Sequence, residues 1–160
     1  VPYLFNELST YAQIDCDVIN FAAMRKMDMA MDRDEIAGLG ASLRRINQKL
    51  LTSTKGDGVQ RVWYQGGEPY FDLFIDLRED DIEWFQLTLR GKSLSWNQAG
   101  WQTGITNEGI VNDITFYPAS KLIKTDNRPD FAFIELAYSI LQTRAGDAIV
   151  DKILALFKAE

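Results

Sequence analysis

Two strict alternations mark the middle of the chain. From Tyr70 to Arg78, the apolar residues Phe71, Leu73, Ile75 and Leu77 alternate with Asp72, Phe74, Asp76 and Arg78. From Ile82 to Arg90, Phe85, Leu87 and Leu89 alternate with Trp84, Gln86, Thr88 and Arg90. A period of two places successive side chains on opposite faces, so both runs predict strands with one apolar face. The charged run Glu79-Asp80-Asp81 between them predicts a solvated hairpin tip that resists edge pairing. Upstream, Gly56-Asp57-Gly58 and Gly66-Gly67 bracket the segment VQRVWYQ, a further strand. Downstream, shorter strands are expected at Ser93 to Asn97, Trp101 to Thr106 and Asp113 to Tyr117. Short strands joined by tight turns read as an antiparallel meander.

The flanks carry the helical period instead. Ile36, Leu39, Leu43, Ile46 and Leu50 follow three-and-four spacing and predict a helix over 33–51. Asp32 with Glu35 three residues on reads as a capping-box variant, and the polar run TSTKGDG ends the helix. Gly38 and Gly40 weaken its first turns, but small residues there admit close approach of another element. Near the end, Pro129 suits a first helical turn. Phe133, Ile134, Ala137, Ile140 and Leu141 form the apolar face of a helix over 130–143. Gly146-Asp147 reads as a stop followed by a new N-cap, and Ile149, Ile153 and Leu156 continue a helix over 147–158; one helix running through Gly146 is the alternative. In residues 1–30 and at position 31 beyond them, Leu4, Leu8 and Tyr11, then Met24, Met27 and Met31, fit helices, with the methionines filling core or forming a plastic binding surface. The expected fold is α+β: an antiparallel β-meander of four to six strands with N- and C-terminal helices packed on one face. The 160 residues suit one domain, with 1–30 a more loosely attached helical segment.

Composition narrows the function by exclusion. At 46% hydrophobic and 25% charged, the chain matches a soluble globular protein able to bury its own core. Its net charge of −6 and isoelectric point near 4.7 disfavour nucleic acid and anionic membranes, both of which select clustered cations. The longest basic grouping is Arg44-Arg45, with Lys49 one turn on, and reads as a solvated helix face. No apolar run approaches the roughly 20 residues that span a bilayer. The start VPYLFNELSTYAQ lacks the charged and apolar regions of a secretory leader. Cys16 is the single cysteine, which rules out a disulfide within the chain and is compatible with a cytoplasmic location.

There is no histidine. That removes the commonest general base, the commonest metal ligand and every Ser-His or Cys-His dyad. Cys16 lies between Asp15 and Asp17, whose charges oppose thiolate formation. Gly38-Leu39-Gly40 starts like a dinucleotide fingerprint, but Leu43 stands where its third glycine belongs. Gly91-Lys92-Ser93-Leu94-Ser95 starts like a nucleophile elbow, with Ser95 in place of the last glycine and no imidazole to serve it. Ser120 near Lys121 and Lys124 is a spacing that arises by chance in most chains. The acidic group Asp28, Asp32, Asp34 and Glu35 does not follow a Ca²⁺-loop pattern and reads as helix-start charge, while Glu79, Asp80, Asp81 and Glu83 read as the solvated hairpin tip, so no metal and no cofactor are expected. No catalytic residue is assigned and the balance leans away from an enzyme.

Two arrangements remain. The strand face carrying Tyr70, Asp72, Phe74, Asp76, Trp84 and Arg90 mixes aromatic rings with charge, a composition concentrated at protein-binding surfaces. Asp72 and Asp76 share it, but four residues along a strand span roughly 13 Å, beyond the about 5 to 9.5 Å of glycosidase pairs. Separately, Trp96 and Trp101 flank Asn97-Gln98-Ala99-Gly100 and, with Trp84, suggest a pocket with amide groups at its mouth. The first arrangement points to a non-catalytic protein-binding or self-associating module, adaptor or chaperone-like, with a homodimer the simplest partner. The second points to a small-molecule binder or a histidine-free enzyme. No family resemblance is specific enough to name.

Overall fold

The computed structural model describes residues 31–47, 58–106 and 123–159. Within them the chain is α+β. Helix α1 (Arg33–Ser42) precedes a meander of β1 (Arg44–Arg45), β2 (Val59–Gln65), β3 (Asp72–Arg78), β4 (Asp81–Leu89), β5 (Lys92–Asn97), β6 (Gly100–Thr106) and β7 (Ile123–Thr125). Helices α2 (Phe131–Gln142) and α3 (Ala148–Lys158) follow. The strands form one seven-stranded sheet in sequence order, every neighbouring pair antiparallel. That exceeds the four to six expected, because β1 and β7 at the edges are too short to show a period of two. The proposed strand at 113–117, the helices of 1–30 and Leu50 lie outside the described residues.

Three tight hairpins set the meander. Arg78 pairs with Asp81 and Leu89 with Lys92, leaving Glu79–Asp80 and Arg90–Gly91 as two-residue loops. All four loop residues take positive φ, between 49° and 80°, as type I′ turns require. Asn97 pairs with Gly100, and the Asn97 Oδ1 accepts the Ala99 N–H at 2.8 Å, an Asx turn. In this register Leu73 faces Leu87, Ile75 faces Phe85, and Leu87 faces Leu94. Each of these is fully buried, in one core with Ile36, Leu39 and Leu43 of the first helical segment, Phe133, Ile140 and Leu141 of α2, and Val150 and Ile153 of α3.

The first helix is shorter than its spacing implies. It ends at Ser42, and Leu43 is extended (φ −65°, ψ 118°), still buried beside Ile36 and Leu39. Ser42 Oγ donates to the Leu39 carbonyl at 2.7 Å and accepts the Gly67 N–H at 2.9 Å, so the last turn bonds to the side chain and the loop after β2. The backbone beyond it has a better use than another turn: Arg44 and Arg45 pair with Gln65 and Tyr64, and Ile46 N–H donates to the Trp63 carbonyl at 2.9 Å. The two arginines thus lie on an edge strand and not on a helix face.

The caps are where the local sequence places them, with one shift. Asp32 accepts the Glu35 N–H at 2.8 Å. Asp147 caps α3 by accepting the N–H groups of Ile149 and Val150 after Gly146 (φ 102°), so the chain breaks there and does not run on as one helix. At α2 the cap is Asp130, which accepts the Phe133 N–H at 3.0 Å, and Pro129 sits just ahead of the helix instead of in its first turn.

The two glycines of α1 are not equivalent. A Cβ on Gly40 would overlap the Thr143 side chain and stand 3.0 Å from the Ile140 carbonyl oxygen, so Gly40 is where α1 and the end of α2 touch. A Cβ on Gly38 would meet nothing within 4 Å. Gly38→Ala is therefore expected to raise stability by about 0.5–1 kcal/mol, the helix-propensity difference. Gly40→Ala is expected to lower it by about 1–3 kcal/mol, as overpacking does. Urea unfolding of the two variants against the parent chain checks both signs.

Tyr64 ties β2 to α3. Its hydroxyl donates to the Asp147 carboxylate at 2.9 Å to Oδ2. Burial, and then this hydrogen bond to a carboxylate, push the hydroxyl up to about 12 from 10.0. The folded chain thus holds this proton more tightly than the unfolded one. The linked stability is complete below about pH 10 and is lost as pH rises to about 12. Tyr64→Phe is expected to cost about 1–2 kcal/mol at pH 7, and the gap between the two chains should close across that alkaline window in denaturation measured against pH.

Candidate functional site

The helices cover one face of the sheet, and the other face gathers the side chains that the alternation leaves over. Pairing aligns them in rows across the strands. One row runs Arg61, Asp76, Trp84 and Asn97; the next runs Trp63, Phe74, Gln86, Ser95 and Gln102. A third runs Gln65, Asp72, Thr88 and Ser93. Between Asp76 and Leu77 the register shifts by one residue, a bulge that admits Glu83 as the extra residue of β4.

Charge and ring lock together in the first row. Arg61 grips Asp76 bidentately, Nε to Oδ1 at 2.7 Å and Nη2 to Oδ2 at 2.9 Å. The same guanidinium lies over the Trp84 ring, 5.4 Å from its centroid, a cation–π contact across the row. The hydrogen bond to Asp76 raises the Arg61 pKa further, keeping the cation fixed. In the second row Trp63 and Phe74 stack with centroids 5.6 Å apart and planes 13° apart. The Trp63 indole N–H donates to Asp72 Oδ1 at 2.9 Å, joining second row to third. Trp63, Phe74 and Trp84 are all half-buried.

Asp72, Phe74, Asp76 and Trp84 therefore do share a face. Asp72 and Asp76 are not a facing carboxylate pair, since Phe74 stands between them and each is bonded to a different residue of β2. Arg61 and Trp63 lie on the same face and were missed. Their signal was the alternation within VQRVWYQ, where Val62 and Tyr64 are buried and Arg61, Trp63 and Gln65 are not.

Arg90 is placed on that face but serves elsewhere, whereas Tyr70 meets its third row through a backbone carbonyl. Arg90, in a hairpin loop, turns toward α1: its guanidinium bonds Glu68 at 2.6 and 2.9 Å and Glu35 at 2.7 Å. That hydrogen bond to Arg90 holds the Glu68 carboxyl below its usual range despite partial burial. Tyr70, exposed and with φ 62°, sits in the loop before β3, where its carbonyl accepts the Thr88 hydroxyl at 2.9 Å.

The tryptophan pocket does not form. Trp84 pairs with Asn97, whereas Trp96 pairs with Phe85 and Trp101, so the sheet itself separates Trp84 from the other two. Trp101 packs edge-on against Phe85 (5.7 Å) and against Phe157 of α3 (4.4 Å), which touches Tyr138 of α2 at 5.0 Å. Trp96 and Trp101 do meet as a pair, and Trp84 is lost to them because it stands one position from Phe85, the partner of Trp96, and neighbouring strand positions point to opposite faces. Among the described residues, no group of three acidic, cysteine or histidine side chains converges to hold a metal ion, and no helix is long and apolar enough to cross a membrane.

The two ion pairs nearest the meander should differ in weight. The Asp76 side chain is only 8% exposed and that of Arg61 33%, against 40% and 46% for Glu83 and Arg78. Arg61→Ala strips the bidentate partner from a nearly buried carboxylate and is expected to cost about 2–3 kcal/mol, less than a fully buried pair because Arg61 is partly screened. Arg78→Ala is expected to change stability by less than about 0.5 kcal/mol. Unfolding midpoints of the two variants, read at low and high salt, check the difference.

Comparison with family models, with curated proteins and with solved structures finds no match to the chain, so the functional reading rests on the chain's own residues.

Proposed function

We propose that this chain is a non-catalytic protein-binding or self-associating module, adaptor or chaperone-like, that engages its partner through the face of the sheet opposite the helices. The observation that carries the reading is the juxtaposition of the Arg61–Trp84 contact with the Trp63–Phe74 stack on adjacent rows. Trp and Arg side chains concentrate at the energetic centres of protein interfaces, because each offers a large apolar area with a polar edge. The Asp76 and Asp72 contacts hold the guanidinium and the indole in place, which lowers the cost of ordering them on binding. The absence of histidine and the acidic composition weigh toward binding over catalysis and toward protein over nucleic acid. A second copy of the chain is the first partner to test, since most soluble oligomers are symmetric homo-oligomers. We place the protein in the cytoplasm, a reducing compartment with which its single cysteine is compatible.

Trp84→Ala and Phe74→Ala are the tests. Each should keep the far-ultraviolet spectrum of the parent chain while weakening the complex by about 30-fold, the effect of losing about 2 kcal/mol at an interface centre. Light scattering over a concentration series reads self-association, and capture from the host lysate reads other partners. A strict monomer at high concentration would remove the homodimer. Partner binding unchanged in both variants would overturn the placement of the site on this face.

A further inference from the structure

We draw no further inference here: the strongest candidate, the aromatic and polar sheet face around Trp63, Phe74 and Trp84, belongs to the site already described, and nothing in the structure shows which occupant covers it.

Discussion

The register of the central hairpin decides both faces of the molecule. With Leu73 opposite Leu87 and Ile75 opposite Phe85, every large aliphatic side chain of β3 and β4 falls on the helical side. A slip of one residue would exchange the faces, sending Asp72, Asp76 and Gln86 into the core and Leu73 and Leu87 into water. The two tight turns at Glu79–Asp80 and Arg90–Gly91 hold that register at both ends of β4. Three of their four residues are not glycine and carry positive φ against their intrinsic preference. The buried rows are what keep those turns closed, so packing dictates turn geometry here more than turn composition does.

The helical layer is fastened to this sheet by a few polar contacts at its rim. Asp147 ends the backbone of α3 with its own cap and accepts the Tyr64 hydroxyl, so one carboxylate fixes the start of α3 over β2. Asp130 does the same for α2: it caps the helix and takes the Lys92 ammonium of β5 at 2.7 Å. Partial burial pushes Asp130 upward, but the Lys92 hydrogen bond and the Phe133 N–H outweigh it and hold the carboxyl below its usual range. Arg90 links α1 to the loop after β2 through Glu35 and Glu68. Lys152 of α3 reaches the carbonyl of Asp80 at the hairpin tip. Asp147, Asp130 and Lys152 each bring a charge at the rim to a backbone group that the apolar core leaves unpaired, whereas Arg90 joins two carboxylate side chains.

What was legible in the sequence depended on how local its cause is. The helices at 131–142 and 148–158 and the caps at Asp32 and Asp147 were readable, because a cap and an apolar stripe are settled within a few residues, whereas the cap at Asp130 was hidden by the reading of Pro129 as a first-turn residue. The five strands from β2 to β6 were readable from alternation and turns. The overextended first helix failed for a non-local reason: Ile46 keeps the helical spacing, but its backbone is claimed by Trp63, seventeen positions away in a different strand. Neither β1 nor β7 is long enough to carry a period. The tryptophans failed for a related reason, since the face on which each lies is fixed by parity along its strand and by pairing. Gly40 was the opposite case, a small residue explained by its contacts with Thr143 and the Ile140 carbonyl, anticipated as close packing without the partner being named.

The second face is not simply the residue of a fold that needed only the first. Among the described residues the helices cover one side of the sheet, and the β5–β6 half of the other side, with Ser95, Asn97 and Gln102, carries the scattered polar side chains that an outer face needs. The β2–β4 half differs: its rings are oriented by specific partners, Trp63 by Asp72 and Phe74, and Trp84 by Arg61. Orienting a ring that only meets water gains little, because an exposed aromatic loses rotamer freedom for a weak contact. The arrangement gains much more when a partner removes the remaining water, since the Arg61–Trp84 contact strengthens as it is desolvated while the Asp76 carboxylate already neutralises the cation. On the proposed reading, the same side chains that would be a modest ornament on a solvated sheet would become a preformed contact surface once a protein lies against them.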